Sequence, residues 1–513
     1  MSKLAKATIG LMLATIVAKV LGFGRELVLA SYYGASMYSD AYITAMNIPF
    51  VLFTVIGSTL ATVFIPIYFK VNNELGEKKS LEFVNNTFNI VIILCTILSI
   101  LGILFTTYLV KIFAMGFEGQ SLKVSIDFTR ITIISIVFMG LTYIMTSYLQ
   151  IKNNFVIPGI MSVPKNIIII IAIVLSAKYN PYMMIWGALL GTIVEFLFIY
   201  LFARRSGYKY QPFINIGDRY IKEMSFLMLP VLIGVSVNQL NKMIDRTLAS
   251  TLVEGSVSAL NYANKLNGFV MALFITSVAS VVYPMLSKLS NEEDKKDFIN
   301  SIVKSINSIV VLVLPISVGA IVLAHPIVKL LFERGEFDAR ATSMTAIALI
   351  MYSLGMVAFG LRDILGKVFY SVKDTKTPMI NGIITVGINI ILNFMLIKTL
   401  GLAGLSLATS VSAIICIFLL FNSLKKKIGY FGQDRIIKTT LKSLISSVIM
   451  GVITYFGYHL ISSIIGSGFI YELLSLFVAI LAGAIVYAIL VIILKVEEVN
   501  IIINMIKKKL GGR

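Results

Sequence analysis

Charged side chains occur at a few positions inside stretches of this sequence that are otherwise apolar. A charge at the centre of a membrane-spanning helix costs roughly 2.5–3.5 kcal/mol on insertion scales, so such residues usually face a cavity. These charges are Lys19, Arg25, Glu26, Asp40, Glu195, Lys242, Asp245, Arg246, Lys265, Arg362, Asp363 and Lys367. Glu195 stands alone in its stretch. The pattern indicates a wet cavity inside a membrane protein.

Three of the cations are expected to share that cavity. Lys19 and Arg25 are six residues apart and bound one wide polar sector of a helix, and Lys265 is in the second half of the chain. Arg and Lys together suit a diphosphate. We therefore predict that all three bind an anionic substrate, while Glu26 and Asp40 hold them in place or exchange partners with them. The alternative is that these charges snorkel to an interface or pair structurally.

Two further groups of polar residues are candidates for gating transport or for coupling it to an ion. Arg362 and Asp363 are predicted to take part in gating or coupling, with a purely structural ion pair as the equal alternative. Asn389 and Asn393 share a helix face, and with Asp245 and Thr409 they resemble a hard-cation site such as one for Na⁺. Interhelical hydrogen bonding by the same amides and hydroxyls is the alternative. No other cofactor is expected.

Motifs of known catalytic machinery are missing from the sequence. It has no HExxH, Walker loop or Ser/His/Asp array, and it contains only two His and two Cys residues. We therefore expect a protein that is not an enzyme.

Composition places the chain in a membrane. Of 513 residues, 58% are hydrophobic and 13% are charged, against roughly 25% charged residues in soluble domains. So few charges exclude a cytosolic enzyme, a nucleic-acid-binding domain and a disordered chain. The formal net charge of +19 indicates contact with anionic membrane lipids rather than with nucleic acid.

Apolar stretches of about 20 residues or more predict fourteen transmembrane helices. They lie near 7–33, 40–69, 84–112, 127–150, 155–177, 181–203, 223–251, 256–287, 299–325, 341–371, 378–398, 401–424, 438–461 and 470–495. Basic residues concentrate in alternate connections, so both termini are expected in the cytoplasm. The longest connections, 204–222 and 288–298, have the size of an interfacial helix.

Two halves of the chain repeat one another at an interval of about 220 residues. Gly34-Ala35-Ser36 returns as Gly255-Ser256-Val257, and Trp186-Gly187-Ala188 returns as Ala403-Gly404-Leu405. An even number of spans in each copy predicts parallel repeats with the substrate site between two lobes. The expected division is 1–222 and 223–436 as pseudo-symmetric six-helix lobes, with 437–513 carrying two extra C-terminal helices and a basic tail. Chance similarity among apolar sequences is the alternative.

Several motifs of the sequence are specific enough to compare with known families. They are the opening run Lys19-Val20-Leu21-Gly22-Phe23-Gly24-Arg25-Glu26, then Asp40-Ala41-Tyr42, and the loop Leu331-Phe332-Glu333-Arg334-Gly335-Glu336-Phe337-Asp338. The first two resemble the start of the MurJ (MviN) family of lipid II flippases in the MOP superfamily. The third, the most specific marker, is similar to the loop between that family's ninth and tenth spans. The resemblance covers nearly the whole chain.

The resemblance implies that the chain moves undecaprenyl-diphosphate-linked peptidoglycan precursor from the inner to the outer leaflet of a bacterial cell membrane. It implies two six-helix lobes in a V that alternate between inward-open and outward-open states. The family's cavity cations correspond to Lys19, Arg25 and Lys265, and their acidic partners to Glu26 and Asp40. Its sodium site is similar to Asp245, Asn389, Asn393 and Thr409. Arg is usual in the family where Lys19 and Lys265 stand.

Three other functions remain open from the sequence. A flippase for another polyprenyl-diphosphate-linked glycan, of the O-antigen or teichoic type, would need the same cations. A drug or cation antiporter would favour an anionic cavity, and a membrane glycosyltransferase would need acidic metal ligands at a membrane face. The expected partners are lipid II and membrane lipids, without nucleic acid, and the chain is expected to work as a monomer.

Overall fold

Every regular element of the protein is a helix, within the part of the chain that the computed structural model describes, residues 3–292, 295–466 and 468–498. A helix satisfies its backbone hydrogen bonds internally, which hydrocarbon requires because it offers no partners. Among these described residues, nine helices are long and apolar enough to cross a membrane, or eleven if each of two bent pairs is one span. The chain is a multi-pass, all-α membrane protein, as the sequence predicts.

The described chain forms two compact units. The first comprises the described residues up to Ser258 together with Arg334–Asp338. Its helices are α1 (Lys3–Tyr33), α2 (Met37–Leu75), α3 (Glu77–Leu104), α4 (Thr106–Phe113), α5 (Gly119–Thr132), α6 (Ser135–Ile151), α7 (Val156–Ile160), α8 (Ser162–Lys178), α9 (Tyr182–Arg205) and α10 (Arg219–Ala249). Helices α1, α2 and α10 also exceed the length of a crossing, and the count of fourteen spans stays a prediction.

The second unit comprises Ala259–Glu333 and the described residues from Ala339 onward. Its helices are α11 (Ser256–Val270), which begins in the first unit, α12 (Thr276–Leu289), α13 (Lys295–Val322), α14 (Ala324–Phe332), α15 (Ala339–Leu354), α16 (Met356–Ser371), α17 (Lys376–Leu400), α18 (Leu402–Ile428), α19 (Gln433–Ile465) and α20 (Phe469–Ile493). A π-helical turn, Met271–Ile275, joins α11 to α12. The three-part division at residues 222 and 436 stays a prediction.

The order of elements repeats along the chain. Helices α5 and α6 form a span bent by 40°, and α15 and α16 form one bent by 44°. Each is followed by a turn with one left-handed residue, Asn153 (φ 59°) or Lys373 (φ 58°). These positions are 220 residues apart, so the repeat found in the sequence recurs in the local structure.

Some predicted boundaries are wrong because helices break inside apolar sequence. The stretch near 84–112 was expected to be one span, but α3 ends at Leu104 and Phe105 adopts φ −99° and ψ 18°. The remaining residues form the separate short helix α4. Neither a charge nor a proline marks this break, but Gly102, Thr106 and Thr107, which are weak helix formers, lie around Phe105.

The connection between α9 and α10, which has the size of an interfacial helix, forms no helix. Residues 206–218 are non-helical, and three asparagines on α3 hold them. Asn85 donates to the Lys209 carbonyl at 2.9 Å, Asn86 donates to the Asn215 carbonyl at 2.9 Å, and Asn89 donates to the carbonyls of Gln211 and Phe213. Side-chain amides thus take the place of helical backbone hydrogen bonds.

Helices α8 and α9 pack closely through two glycines spaced four residues apart. A Cβ added at Gly187 would lie 2.0 Å from the Cβ of Ala172, and one added at Gly191 would lie 3.0 Å from the Lys165 carbonyl oxygen. Small residues at this spacing let membrane helices approach at the backbone. The hairpin therefore fixes the register of the side chains that α8 and α9 present to each other.

Substituting Gly187 by alanine is expected to destabilise the protein, although alanine favours helix by about 1 kcal/mol over glycine. The added methyl group meets a Cβ that has no rotamer to change, so the helices must separate, at a cost of about 1–3 kcal/mol. The measurement is the thermal-unfolding midpoint in detergent. Gly387→Ala is the matched control, because nothing lies within 4 Å of its added Cβ. An equal or higher midpoint for Gly187→Ala would contradict the close packing.

Asp374 caps the turn between α16 and α17, outside the spans. Its carboxylate accepts from Lys427 Nζ at 2.5 Å and from the Thr377 backbone N–H and hydroxyl at 3.0 and 2.8 Å. Partial burial raises the pKa of Asp374, but these hydrogen bonds outweigh it and lower the pKa to about 2. The charged form is therefore the one that stabilises the turn.

Because this pKa lies below the roughly 3.9 of an unfolded Asp, the stabilisation is present above pH ~4 and is lost as the pH falls towards about 2. We expect Asp374→Asn to lower the thermal-unfolding midpoint at neutral pH. The gap between variant and wild type should shrink steadily below pH ~4. A gap that is constant from pH 7 to pH 3 would show that the charge plays no part.

Candidate functional site

Arg25 connects α1 to α8. Its Nη2 donates to Glu26 Oε1 at 2.7 Å, and its Nη1 donates to Asn166 Oδ1 at 3.2 Å. The Arg25 side chain is 19% exposed and that of Glu26 is 6% exposed. A carboxylate and an amide thus orient the guanidinium of a side chain that stays partly exposed, and a guanidinium held in this way can bind an anion through two parallel hydrogen bonds. Two of the predicted substrate residues are therefore in contact.

A second ion pair lies beside this contact. Lys165, the neighbour of Asn166, donates from Nζ to Glu195 Oε2 at 2.8 Å, and the two side chains are 20% and 10% exposed. Glu195 is the only charge in its own stretch, and its partner lies on another helix. Glu195 also interacts electrostatically with Arg25. Arg25, Glu26, Lys165 and Glu195 therefore form a four-charge cluster whose formal charges sum to zero.

Lys165 is the member of this cluster that sequence reasoning missed. The sequence does mark Lys165 as a candidate, because it is the first charged residue of the apolar run from Ser162 to Lys178. Its partner is 30 residues away on another helix. The two side chains meet because α8 and α9 pack closely through Gly187 and Gly191. Their separation along the chain does not predict this contact.

Asp40 lies at the N-terminus of α11. Its Oδ1 accepts from the Ser258 backbone N–H at 2.7 Å and from the Ser258 hydroxyl at 2.6 Å, and its Oδ2 accepts from the Gly255 N–H at 2.8 Å. Carboxylates stabilise helix N-termini because the unpaired N–H groups there carry partial positive charge. Both oxygens of Asp40 are thus engaged by backbone and hydroxyl donors, and a role in binding substrate stays a prediction.

Lys19 and Lys265 lie on α1 and α11, and both side chains are exposed. Lys19 is less than two turns before Arg25 on the same helix. Lys265 belongs to the second unit. The hypothesis that these lysines share a pocket with Arg25 stays a prediction.

Arg362 and Asp363 are neighbours on α16, the first exposed and the second partly buried. Among the described contacts no ion pair joins them. Lys367, one turn later, places its Nζ 5.7 Å from the ring centroid of Tyr283 in a cation–π contact. Gating or coupling by Arg362 and Asp363 stays a prediction.

Three of the four predicted sodium ligands are in contact. Asn393 Nδ2 donates to Asn389 Oδ1 at 3.0 Å, and Asn389 Nδ2 lies 3.4 Å from both Thr409 Oγ1 and Ser412 Oγ. Asn389 and Asn393 are buried. Amide nitrogens facing hydroxyl oxygens suit the interhelical hydrogen bonds that were the alternative. Asp245 is buried in the first unit, and sodium binding by the four residues stays a prediction.

Within residues 3–292, 295–466 and 468–498, no group of three or more His, Cys, Asp or Glu side chains could hold a metal ion. The polar chemistry of the described site is therefore that of ion pairs and amides.

Comparison with solved structures defines the class of protein. An inward-facing multidrug resistance MATE family transporter of the MOP superfamily superposes with a TM-score of 0.67 at 15% identity, covering 80% of this chain and 96% of the transporter. The fold is that of MOP superfamily transporters. A structure described as lipid II flippase MurJ, inward closed conformation, superposes with a TM-score of 0.81 at 29% identity, covering 94% of this chain and 99% of that one.

The sequence profile described as lipid II flippase MurJ matches residues 29–495, so the chain belongs to the MurJ family. A probable lipid II flippase MurJ from Buchnera aphidicola subsp. Baizongia pistaciae is 27% identical over 482 residues, 92% of this chain and 93% of the relative. The family resemblance seen in the sequence is confirmed. Flippases move lipids without changing their bonds, so the expectation of a transporter rather than an enzyme is confirmed too.

Proposed function

We propose that this protein is a lipid II flippase of the bacterial inner membrane. It translocates undecaprenyl-diphosphate-linked peptidoglycan precursor from the cytoplasmic to the outer leaflet, with both termini in the cytoplasm, as a monomer. The proposal is supported by membership of the MurJ family over residues 29–495. The observation that supports a specific site is the partly exposed side chain of Arg25, whose guanidinium donates to Glu26 and Asn166.

The diphosphate is the part of the substrate that this site would recognise. A guanidinium binds phosphate oxygens with two parallel hydrogen bonds, and a lysine adds a point charge. In the proposed cycle Arg25, Lys19 and Lys265 bind the diphosphate, and Glu26 holds Arg25 when the substrate is absent. Exchanging a carboxylate for a phosphate keeps the guanidinium paired throughout, which avoids an isolated charge in a low-dielectric region.

Alternating access moves the headgroup while the lipid tail stays in the membrane. Passage of a polar headgroup through bare hydrocarbon is prohibitive, whereas an undecaprenyl tail gains free energy from remaining in lipid. Helices α19 and α20 expose large apolar side chains such as Val452, Phe456, Phe477 and Ile485. We propose that the undecaprenyl tail lies against the apolar surface of these two helices during translocation.

The test is rescue of a bacterium depleted of its own lipid II flippase, combined with lipid II translocation in proteoliposomes. We expect rescue, and competition by unlabelled lipid II that exceeds competition by an O-antigen-type or teichoic-type lipid diphosphate. Failure to rescue by protein shown to be in the membrane would overturn the proposal. Stronger competition by another glycan lipid would assign the chain to that substrate instead.

A further inference from the structure

The ion pair between Lys165 and Glu195 lies near the middle of two candidate membrane spans, Val156–Lys178 and Tyr182–Arg205. Charges at that depth are costly and usually mark a substrate or ion pathway. The pair is also next to Arg25, since Asn166 hydrogen-bonds the Arg25 guanidinium and Glu195 interacts with it electrostatically.

Packing of the helix hairpin does not require these charges. The second copy of the repeat has the corresponding hairpin, α17 and α18, in which a Cβ added at Gly404 would lie 2.4 Å from the Leu396 carbonyl oxygen. There the helices are bridged by neutral groups, Asn389 with Thr409 and Ser412. The same architecture therefore forms with amides and hydroxyls, and the charged pair in the first copy has another purpose.

The hydrogen bond between Lys165 and Glu195 can be replaced by one from Lys165 to another anion. In the described contacts Glu195 accepts one hydrogen bond and Lys165 donates one. Asp40, by contrast, accepts three and is fixed as a helix cap. Lys165 keeps 20% of its side chain exposed, and its flexible four-carbon stem lets Nζ move without any change of backbone.

We propose that Lys165 is a further phosphate ligand of the flippase site, held by Glu195 while the site is empty and transferred to the diphosphate when substrate binds. This inference rests on the proposed function. Asn166 links the backbone position of Lys165 to the guanidinium of Arg25, so one anion can engage both cations. Glu195 then remains beside Arg25 and limits the excess of positive charge.

The experiment measures the affinity of purified protein, in nanodiscs of uncharged lipid, for inorganic pyrophosphate. Removing the competing carboxylate in Glu195→Gln frees Lys165, and we expect binding to tighten about fivefold. Lys165→Gln should weaken binding about fivefold, and Lys165→Arg should restore it. In the Lys165→Gln background, Glu195→Gln should tighten binding less than it does in wild type, because Glu195 acts mainly through Lys165.

The control is Glu472→Gln, which removes the same charge from another interhelical ion pair, Lys329 with Glu472. Its affinity should equal that of wild type. The inference is overturned if Lys165→Gln binds like wild type, or if Glu195→Gln tightens binding as much in the Lys165→Gln background as in wild type. Binding that depends on Arg25 but not on Lys165 would overturn this inference alone. Absence of any Arg25-dependent binding would overturn the proposed diphosphate site as well.

Discussion

Replacing Arg25 by alanine is expected to reduce lipid II translocation at least about tenfold, the effect of losing one charge-assisted phosphate contact. The substitution also leaves Glu26, only 6% exposed, without its 2.7 Å partner. A carboxylate that has lost this cation disfavours the bound state further, because it repels the diphosphate. The measurement is the rate of lipid II translocation in proteoliposomes with equal amounts of folded protein.

Arg204→Ala is the matched control, since Arg204 is an exposed arginine in the last turn of α9. Its translocation rate should stay within about twofold of wild type. Arg25→Lys keeps the charge but loses the two-pronged geometry that also engages Asn166. We expect an intermediate rate for Arg25→Lys. A wild-type rate for Arg25→Ala would refute the assignment of Arg25 to the substrate.

Much of the fold follows from the sequence because hydrocarbon imposes simple rules. Spans of about 20 apolar residues must be helices, and the repeat of glycine-containing motifs predicts the recurring order of elements. Positions 34 and 255 illustrate this, as both are glycines with positive φ that precede a helix, α2 or α11. The interruption at Phe105 is not predicted by span length, since the apolar run around it is long enough to cross a membrane and only the weak helix formers Gly102, Thr106 and Thr107 hint at a break.

Partnerships between charges were harder to predict than the charges themselves. The sequence identifies Arg25, Glu26 and Glu195 as charges inside spans, but the partners Asn166 and Lys165 are 141 and 30 residues away. Their proximity depends on how α8 packs against α1 and α9. Asp40 shows the same limit, because its hydrogen bonds to residues 255 and 258 are set by tertiary structure. Charge patterns therefore predict a polar region, not its pairings.

Gly34→Ala is expected to reduce translocation about tenfold through a different cause, the loss of a backbone contact. Gly34 has φ +57°, a conformation that costs an alanine roughly 1–2 kcal/mol, and its added Cβ would lie 2.2 Å from the Glu336 carbonyl oxygen. The clash involves backbone, so no side chain can turn away. The contact it breaks includes the hydrogen bond from the Glu336 N–H to the Ser31 carbonyl, 2.9 Å long.

This contact joins the end of α1 to the segment Arg334–Asp338 within the first unit. Gly335 contributes from the other side, since a Cβ added there would lie 2.2 Å from the Ser31 carbonyl oxygen. Two glycines thus let two turns meet backbone to backbone, an arrangement that can form and separate without rearranging side chains. Alternating access, as proposed, depends on contacts that close and reopen in every cycle.

The variant Gly119→Ala distinguishes the cost of a left-handed backbone conformation from the loss of the backbone contact at Glu336. Gly119 has φ +52°, close to that of Gly34, but nothing lies within 4 Å of its added Cβ. The two variants therefore carry the same left-handed penalty, and only Gly34→Ala disrupts a neighbour. We expect hydrogen exchange at the Glu336 amide to accelerate in Gly34→Ala and to stay unchanged in Gly119→Ala. Equal translocation rates in the two variants would show that the cost at position 34 is conformational strain alone, and that the meeting of the two turns is not needed for transport.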